Sequence, residues 1–178
     1  DNNVMAIQQD TDGFLWIGTF GGGIDRFDIS KNSFVNLSEI SSHQNAFHDV
    51  EILSLFIDRS GVIWAGSHLG EGVTKIQKFN TKFEIINRTS PGTLILNDDV
   101  VWSLFKDSNE NLWVGTYRGG VNVLNLHNQQ TTIYNKQSDL NHRLSDNHIR
   151  SFAEDKFGNI WIGTYSGGLN RINKSNQK

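Results

Sequence analysis

Four aspartates, Asp10, Asp58, Asp107 and Asp155, each stand six residues before a tryptophan: Trp16, Trp64, Trp113 and Trp161. Carboxylates at a fixed spacing invite a metal or acid–base reading. A hard-cation loop, however, gathers several oxygen ligands within about a dozen residues, and each of these aspartates stands alone in its own stretch. The preferred reading is a turn cap, the carboxylate accepting hydrogen bonds from the backbone ahead of it. A second set, Asp1, Asp49, Asp98 and Asp146, lies nine residues earlier and is read as capping the incoming loop in preference to lining a mouth. The tryptophans can stack on a sugar or a base. A binding site is usually asymmetric whereas a core repeats, so they are assigned to the core. The six histidines (43, 48, 68, 127, 142 and 148) show no H-x-x-x-H spacing. No G-x-S-x-G elbow or paired-carboxylate arrangement stands out. The glycine pairs resemble phosphate loops only superficially, because they lead into strands and offer no helix N-terminus to an anion. The expectation is no catalytic residue, no metal and no cofactor.

Function should then sit in what differs between the stretches. Trp102 occupies a slot filled elsewhere by Met5, Leu53 and Arg150. After the second strand come Phe20-Gly21, His68-Leu69, Tyr117-Arg118 and Tyr165-Ser166, and the long incoming loops at 38–48, 88–97 and 136–145 differ as well. Trp102, Tyr117, Arg118, Tyr165, His68 and Phe20 are therefore the candidate ligand-binding residues. Local packing of Trp102, and ordinary solvated loops elsewhere, are the plainer alternatives.

The elements that must position these residues follow from periodicity. The repeated tryptophans are 48, 49 and 48 residues apart, which sits among the ~40–50 residues of a propeller blade. The one longer interval reflects Glu71 inserted between Gly70 and Gly72. In each unit a short apolar strand (4–9, 52–57, 101–106, 149–154) is followed by an Asp-x-x-Gly turn, with Asn109-Glu110-Asn111 in the third unit. There the tolerant Asn residues are expected to take the turn. A second strand carries Trp and Gly on alternating positions, a glycine pair turns the chain, and a third strand follows (24–29, 73–78, 121–126, 169–173). A fourth, more polar strand is expected at 34–37, 83–87 and 132–135, and the fourth unit stops before its own. The reading is all-β: a β-propeller of four consecutive four-stranded blades, the last incomplete, at approximately 1–48, 49–97, 98–145 and 146–178. Helical solenoids are excluded by the density of Gly and Asn, and a parallel β-helix by the length of the period.

Composition agrees. Five Trp and eleven Phe provide apolar surface enough for a core. A net charge of −3 gives no basic face for nucleic acid. No apolar run approaches the ~18 residues of a membrane span, and no signal peptide is expected within these residues. The absence of Cys excludes disulfide and thiolate chemistry. Because the first residue falls at a fixed point of the repeat, the chain is expected to be cut from something longer.

The segments Asp10-Thr-Asp-Gly-Phe-Leu-Trp-Ile-Gly-Thr and Asp155-Lys-Phe-Gly-Asn-Ile-Trp-Ile-Gly-Thr, each leading to Gly-Gly and an apolar strand, resemble the two-component regulator propeller repeat. That resemblance implies the extracytoplasmic, periplasmic part of a bacterial hybrid sensor kinase. In gut Bacteroidetes such parts commonly sense oligosaccharides and act as dimers. It also implies more blades per ring than four, so the chain is expected to be an arc of a larger propeller; alternatively, two arcs meet in an eight-blade ring. The function expected is a non-catalytic, ligand-sensing segment, with an oligosaccharide ligand, a homodimeric partner, no nucleic acid, and membrane contact only through other parts of the protein. A protein-interaction scaffold and a propeller lyase or glycoside hydrolase are the alternatives.

Overall fold

The computed structural model describes residues 1–37, 50–68, 72–76, 83–140 and 142–173, with backbone only at 83 and 84. Asp49, Leu69, Gly70, Glu71, His43, His48 and the loop at 38–48 lie outside the described residues. The strands form four antiparallel sheets, three of four strands and one of three. The first runs β1 (Val4–Gln9), β2 (Leu15–Thr19), β3 (Ile24–Asp28), β4 (Ser33–Asn36); the second β5 (Ile52–Ile57), β6 (Ile63–Ser67), β7 (Val73–Ile76), β8 (Phe83–Ile86). The third is β9 (Val101–Lys106), β10 (Asn111–Thr116), β11 (Val121–Asn125), β12 (Gln130–Tyr134), and the last β13 (Ile149–Glu154), β14 (Ile160–Thr164), β15 (Leu169–Ile172). Each sheet is a meander in chain order, as a blade requires.

Turn chemistry builds each blade. Asp107 Oδ1 accepts the amides of Asn109 and Asn111, both at 2.9 Å, while its Oδ2 accepts the Trp113 indole N–H at 2.8 Å. The equivalent indole bonds are 2.9 Å at Asp10–Trp16, 3.3 Å at Asp58–Trp64 and 3.0 Å at Asp155–Trp161. The turn-cap reading of these aspartates is thus right and incomplete, because one carboxylate also fixes the rotamer of the tryptophan six residues on. Thr116 closes the glycine turn, its hydroxyl donating to Gly120 O and accepting from Gly119 N.

The core lies between blades. Trp16, Ile24 and Leu37 pack on Ile52, Leu55 and Ile63 of the next blade. Trp64 and Val73 meet Val101 and Leu112, and Trp113 and Val121 meet Ile149 and Ile160. The glycine two residues after each interior tryptophan admits this approach: a Cβ on Gly18 would lie 2.6 Å from Ile52 Cγ2, and one on Gly115 2.6 Å from Ile149 Cγ2. The second glycine of each turn bonds blades together, Gly23 donating to Val50 O, Gly72 to Asp99 O and Gly120 to Asn147 O.

Strand ends and one turn differ from the sequence reading: the third strands stop at Asp28, Asn125 and Ile172, one residue short of 29, 126 and 173, two fourth strands begin early at Ser33 and Gln130, and residues 77 and 78 lie outside the described residues. The fourth strands end one residue earlier than expected, at Asn36, Ile86 and Tyr134, because Asn87 and Asn135 turn the chain by accepting Thr89 N and Gln137 N on their side chains. In the third turn Glu110, not Asn, takes the left-handed backbone (φ 67°) that Gly13, Gly61 and Gly158 take elsewhere. Lys106 Nζ lies 2.5 Å from Glu110 and 3.3 Å from Asp58 of the preceding blade. The strained glutamate thereby completes an ion bridge between blades.

Candidate functional site

The slot that varies between blades is a β-bulge. In every inner hairpin the register slips by one residue: Val4 pairs Thr19 and Ala6 pairs Gly18, Ile52 pairs Ser67 and Ser54 pairs Gly66. Likewise Val101 pairs Thr116 and Ser103 pairs Gly115, and Ile149 pairs Thr164 and Ser151 pairs Gly163. The residues left over are Met5, Leu53, Trp102 and Arg150. A bulged residue leaves the ladder and its side chain is re-aimed, which is why bulges recur beside functional sites.

Beyond the bulge each inner hairpin gains one more rung. Phe20 N–H donates to Asn3 O, His68 to Glu51 O, Tyr117 to Val100 O and Tyr165 to His148 O, all at 2.8–2.9 Å. The loop after the second strand and the end of the incoming loop therefore meet at one mouth, as the strand directions require. The second aspartate set fixes this junction. Asp98 Oδ2 accepts the amides of Arg118 and Gly119, and its Oδ1 that of Val100. Asp146 Oδ2 accepts the amide and hydroxyl of Ser166, and its Oδ1 accepts from His148 N and lies 3.2 Å from His148 Nδ1. Burial raises the Asp146 pKa, but these hydrogen bonds outweigh it and hold the carboxyl well below its usual range. The described aspartates of this set do cap, and they do so at the mouth.

At blades 3 and 4 the bulge and the extra rung assemble one cluster. The Trp102 ring lies 4.7 Å from Tyr117 and 6.3 Å from His148, and His148 lies 4.7 Å from Tyr117 and 6.2 Å from Tyr165. The Arg150 guanidinium sits 3.8 Å from the Trp102 centroid and 5.0 Å from that of Tyr165, and Arg118 lies 5.0 Å from Tyr117. The buried Trp102 indole N–H has no hydrogen-bond partner among the described residues. Trp102, Tyr117, Arg118 and Tyr165 are thus brought together. Phe20 and His68 form a separate pair 5.4 Å apart at blades 1 and 2, where His68 Nδ1 lies 2.6 Å from Glu51. His148 and Arg150 were not among the candidates. Arg150 shares the Trp102 slot on the adjoining blade, and that shared slot is the sequence signal for it.

Chemically the cluster is an aromatic platform with cationic donors at its edges. No group of three or more metal-ligating side chains occurs among the described residues.

Comparison with known proteins agrees with this architecture. The family described as two component regulator propeller matches residues 1–21, 95–118 and 143–166. A curated relative, Histidine kinase P4 of Formosa agariphila, is 26% identical over 80 residues, which are 45% of this chain and 6% of that protein. Two crystal structures of the extracellular domain of BT4673 from B. thetaiotaomicron align at TM-scores of 0.74 and 0.71. They describe it as a one component and a hybrid two component system; identity is 20% and 21%, covering 96% and 99% of this chain and 21% and 24% of theirs. Virginiamycin B lyase from Staphylococcus aureus shares the fold at a TM-score of 0.65 and 11% identity, over 96% of this chain and 55% of the lyase. The chain spans about a quarter or less of the sensor proteins it resembles.

Proposed function

We propose that this chain, a run of two component regulator propeller repeats, is a non-catalytic ligand-sensing segment of a bacterial two-component sensor. It lies outside the cytoplasm, and the ligand is an oligosaccharide held at the mouth of blades 3 and 4. One observation carries the reading: two bulge residues, Trp102 and Arg150, converge with Tyr117, His148 and Tyr165 on one mouth. Aromatic faces suit the C–H faces of sugar rings, and edge donors suit their oxygens. The likeness to extracellular domains of signalling systems supports the location and the role. An intact frame with varied bulge residues supports binding in preference to chemistry, since a catalytic reading needs a base and an acid set around a reacting atom.

The test is thermal unfolding of the protein with a panel of plant, host and microbial oligosaccharides. A ligand at one hundred times its dissociation constant adds roughly 2.7 kcal/mol of stability. The expected result is a raised midpoint with a small, related set of glycans, lost in Trp102→Ala. A shift that survives Trp102→Ala and Tyr117→Ala would place binding elsewhere, and no shift with any glycan would favour a protein-interaction scaffold.

A further inference from the structure

We infer that the ligand of this mouth is an acidic sugar, one carrying a carboxylate or a sulfate ester, with Arg150 as the residue that selects the charge. The inference rests on the proposed carbohydrate site and adds the class of its ligand. A site for neutral sugars needs acceptors as well as donors, because every hydroxyl offers a proton. Here the nearby carboxylates already serve the protein. Asp98 holds the amides of Val100, Arg118 and Gly119, and Asp146 holds Ser166 and His148. Glu51, at the neighbouring pair, lies 2.6 Å from His68.

The unpaired charge at this mouth is cationic. Among the described residues, Arg150 and Arg118 have ring contacts but no carboxylate partner. Such a surplus calls for an acceptor-rich ligand. Arg150 is also held ready: Trp102 and Tyr165 flank its guanidinium, leaving the planar N–H edge for a carboxylate or sulfate. An oriented fork loses less freedom on binding than a lysine would. Both arginines are exposed, so an oligosaccharide reaches them without rearrangement of the ladder.

The experiment is titration calorimetry of the full chain with matched pairs: oligogalacturonate against its methyl ester, and a sulfated galactan oligosaccharide against its desulfated form. One acidic member is expected to bind, and its neutralised counterpart to bind about tenfold or more weaker, as for loss of a charge-assisted hydrogen bond. Which pair responds tells carboxylate from sulfate. Arg150→Gln should abolish the preference within the pair, whereas Lys31→Gln, at an exposed turn of blade 1, should leave it intact. Equal binding of both members, a preference that persists in the Arg150→Gln, Arg118→Gln double variant, or no binding by any acidic member would overturn the inference. Binding of a neutral glycan that is lost in Trp102→Ala would overturn it too, while leaving the carbohydrate site standing.

Discussion

The interface between blades 3 and 4 and the outer face of blade 4 are built on the same Trp-x-Gly-Thr frame and differ in burial. Trp113 is 0% exposed and Val121 0%, whereas their counterparts are a half-buried Trp161 and a Leu169 that is 65% exposed. The Asp–Trp bond is nevertheless present in both, at 2.8 Å and 3.0 Å. Turn, carboxylate and indole form a local unit that stands without a neighbour. Burial is what the next blade adds. The leading face of blade 1 shows the complementary side, with Val4 exposed where Ile149 is fully buried and Ile7 exposed where Leu55 is buried. A recurrent tryptophan thus encodes a docking surface, and only the neighbour turns that surface into stability.

The largest expected effect contrasts the two tryptophans. Trp113→Ala should cost about 3–5 kcal/mol in urea unfolding, as for a buried aromatic. Trp161→Ala should cost less than about 2 kcal/mol; equal losses would break the comparison. The glycines sharpen it. Gly115→Ala drives a methyl group into Ser103 of its own blade and also into Ile149 of the next, and should cost about 1–3 kcal/mol. At Gly163 the added carbon meets chiefly the Ser151 side chain of the same blade, so Gly163→Ala should cost clearly less in the same assay.

Acid provides a finer probe of the open face. Hydrogen bonds from the Asn159 side chain, then from the Trp161 indole and the amides of Asn159 and Phe157, lower the Asp155 pKa from 3.8 to about 2 against the opposing effect of desolvation. A lowered folded-state pKa stabilises above the ordinary value, and that contribution fades as pH falls through about 2. The Trp161 indole proton resonance should keep its position at pH 4 and move only as pH 2 is approached; movement near pH 4 would show that the unit needs its neighbour after all. The smallest effect is expected at Glu110→Gly. Relief of a left-handed backbone offsets the lost contact with Lys106, and the unfolding free energy should change by less than about 0.5 kcal/mol.

The fold was legible because its determinants are repeated: the Trp16, Trp64, Trp113, Trp161 series with its glycines specified strands, turns and interblade core together. The Asp-to-Trp bond was not, since a six-residue spacing has no meaning until a turn folds the strand back beside its cap. At the site, four of the six candidates meet in one cluster because departure from the repeat is visible in letters. His148 and Arg150 were missed because bulges are matters of pairing register, and one strand alone does not reveal which residue its partner skips. Phe20 and His68 occupy the same rung on blades 1 and 2, but their bulge residues, Met5 and Leu53, contribute neither ring nor charge.

That bulge also bears on how such a protein diverges. Each blade offers one residue that neither the hydrogen-bonded ladder nor the interblade core constrains, and Met, Leu, Trp and Arg have all been accommodated there. Under the binding reading proposed above, recognition can be rewritten one blade at a time without renegotiating the scaffold, and specificity is then free to drift faster than shape.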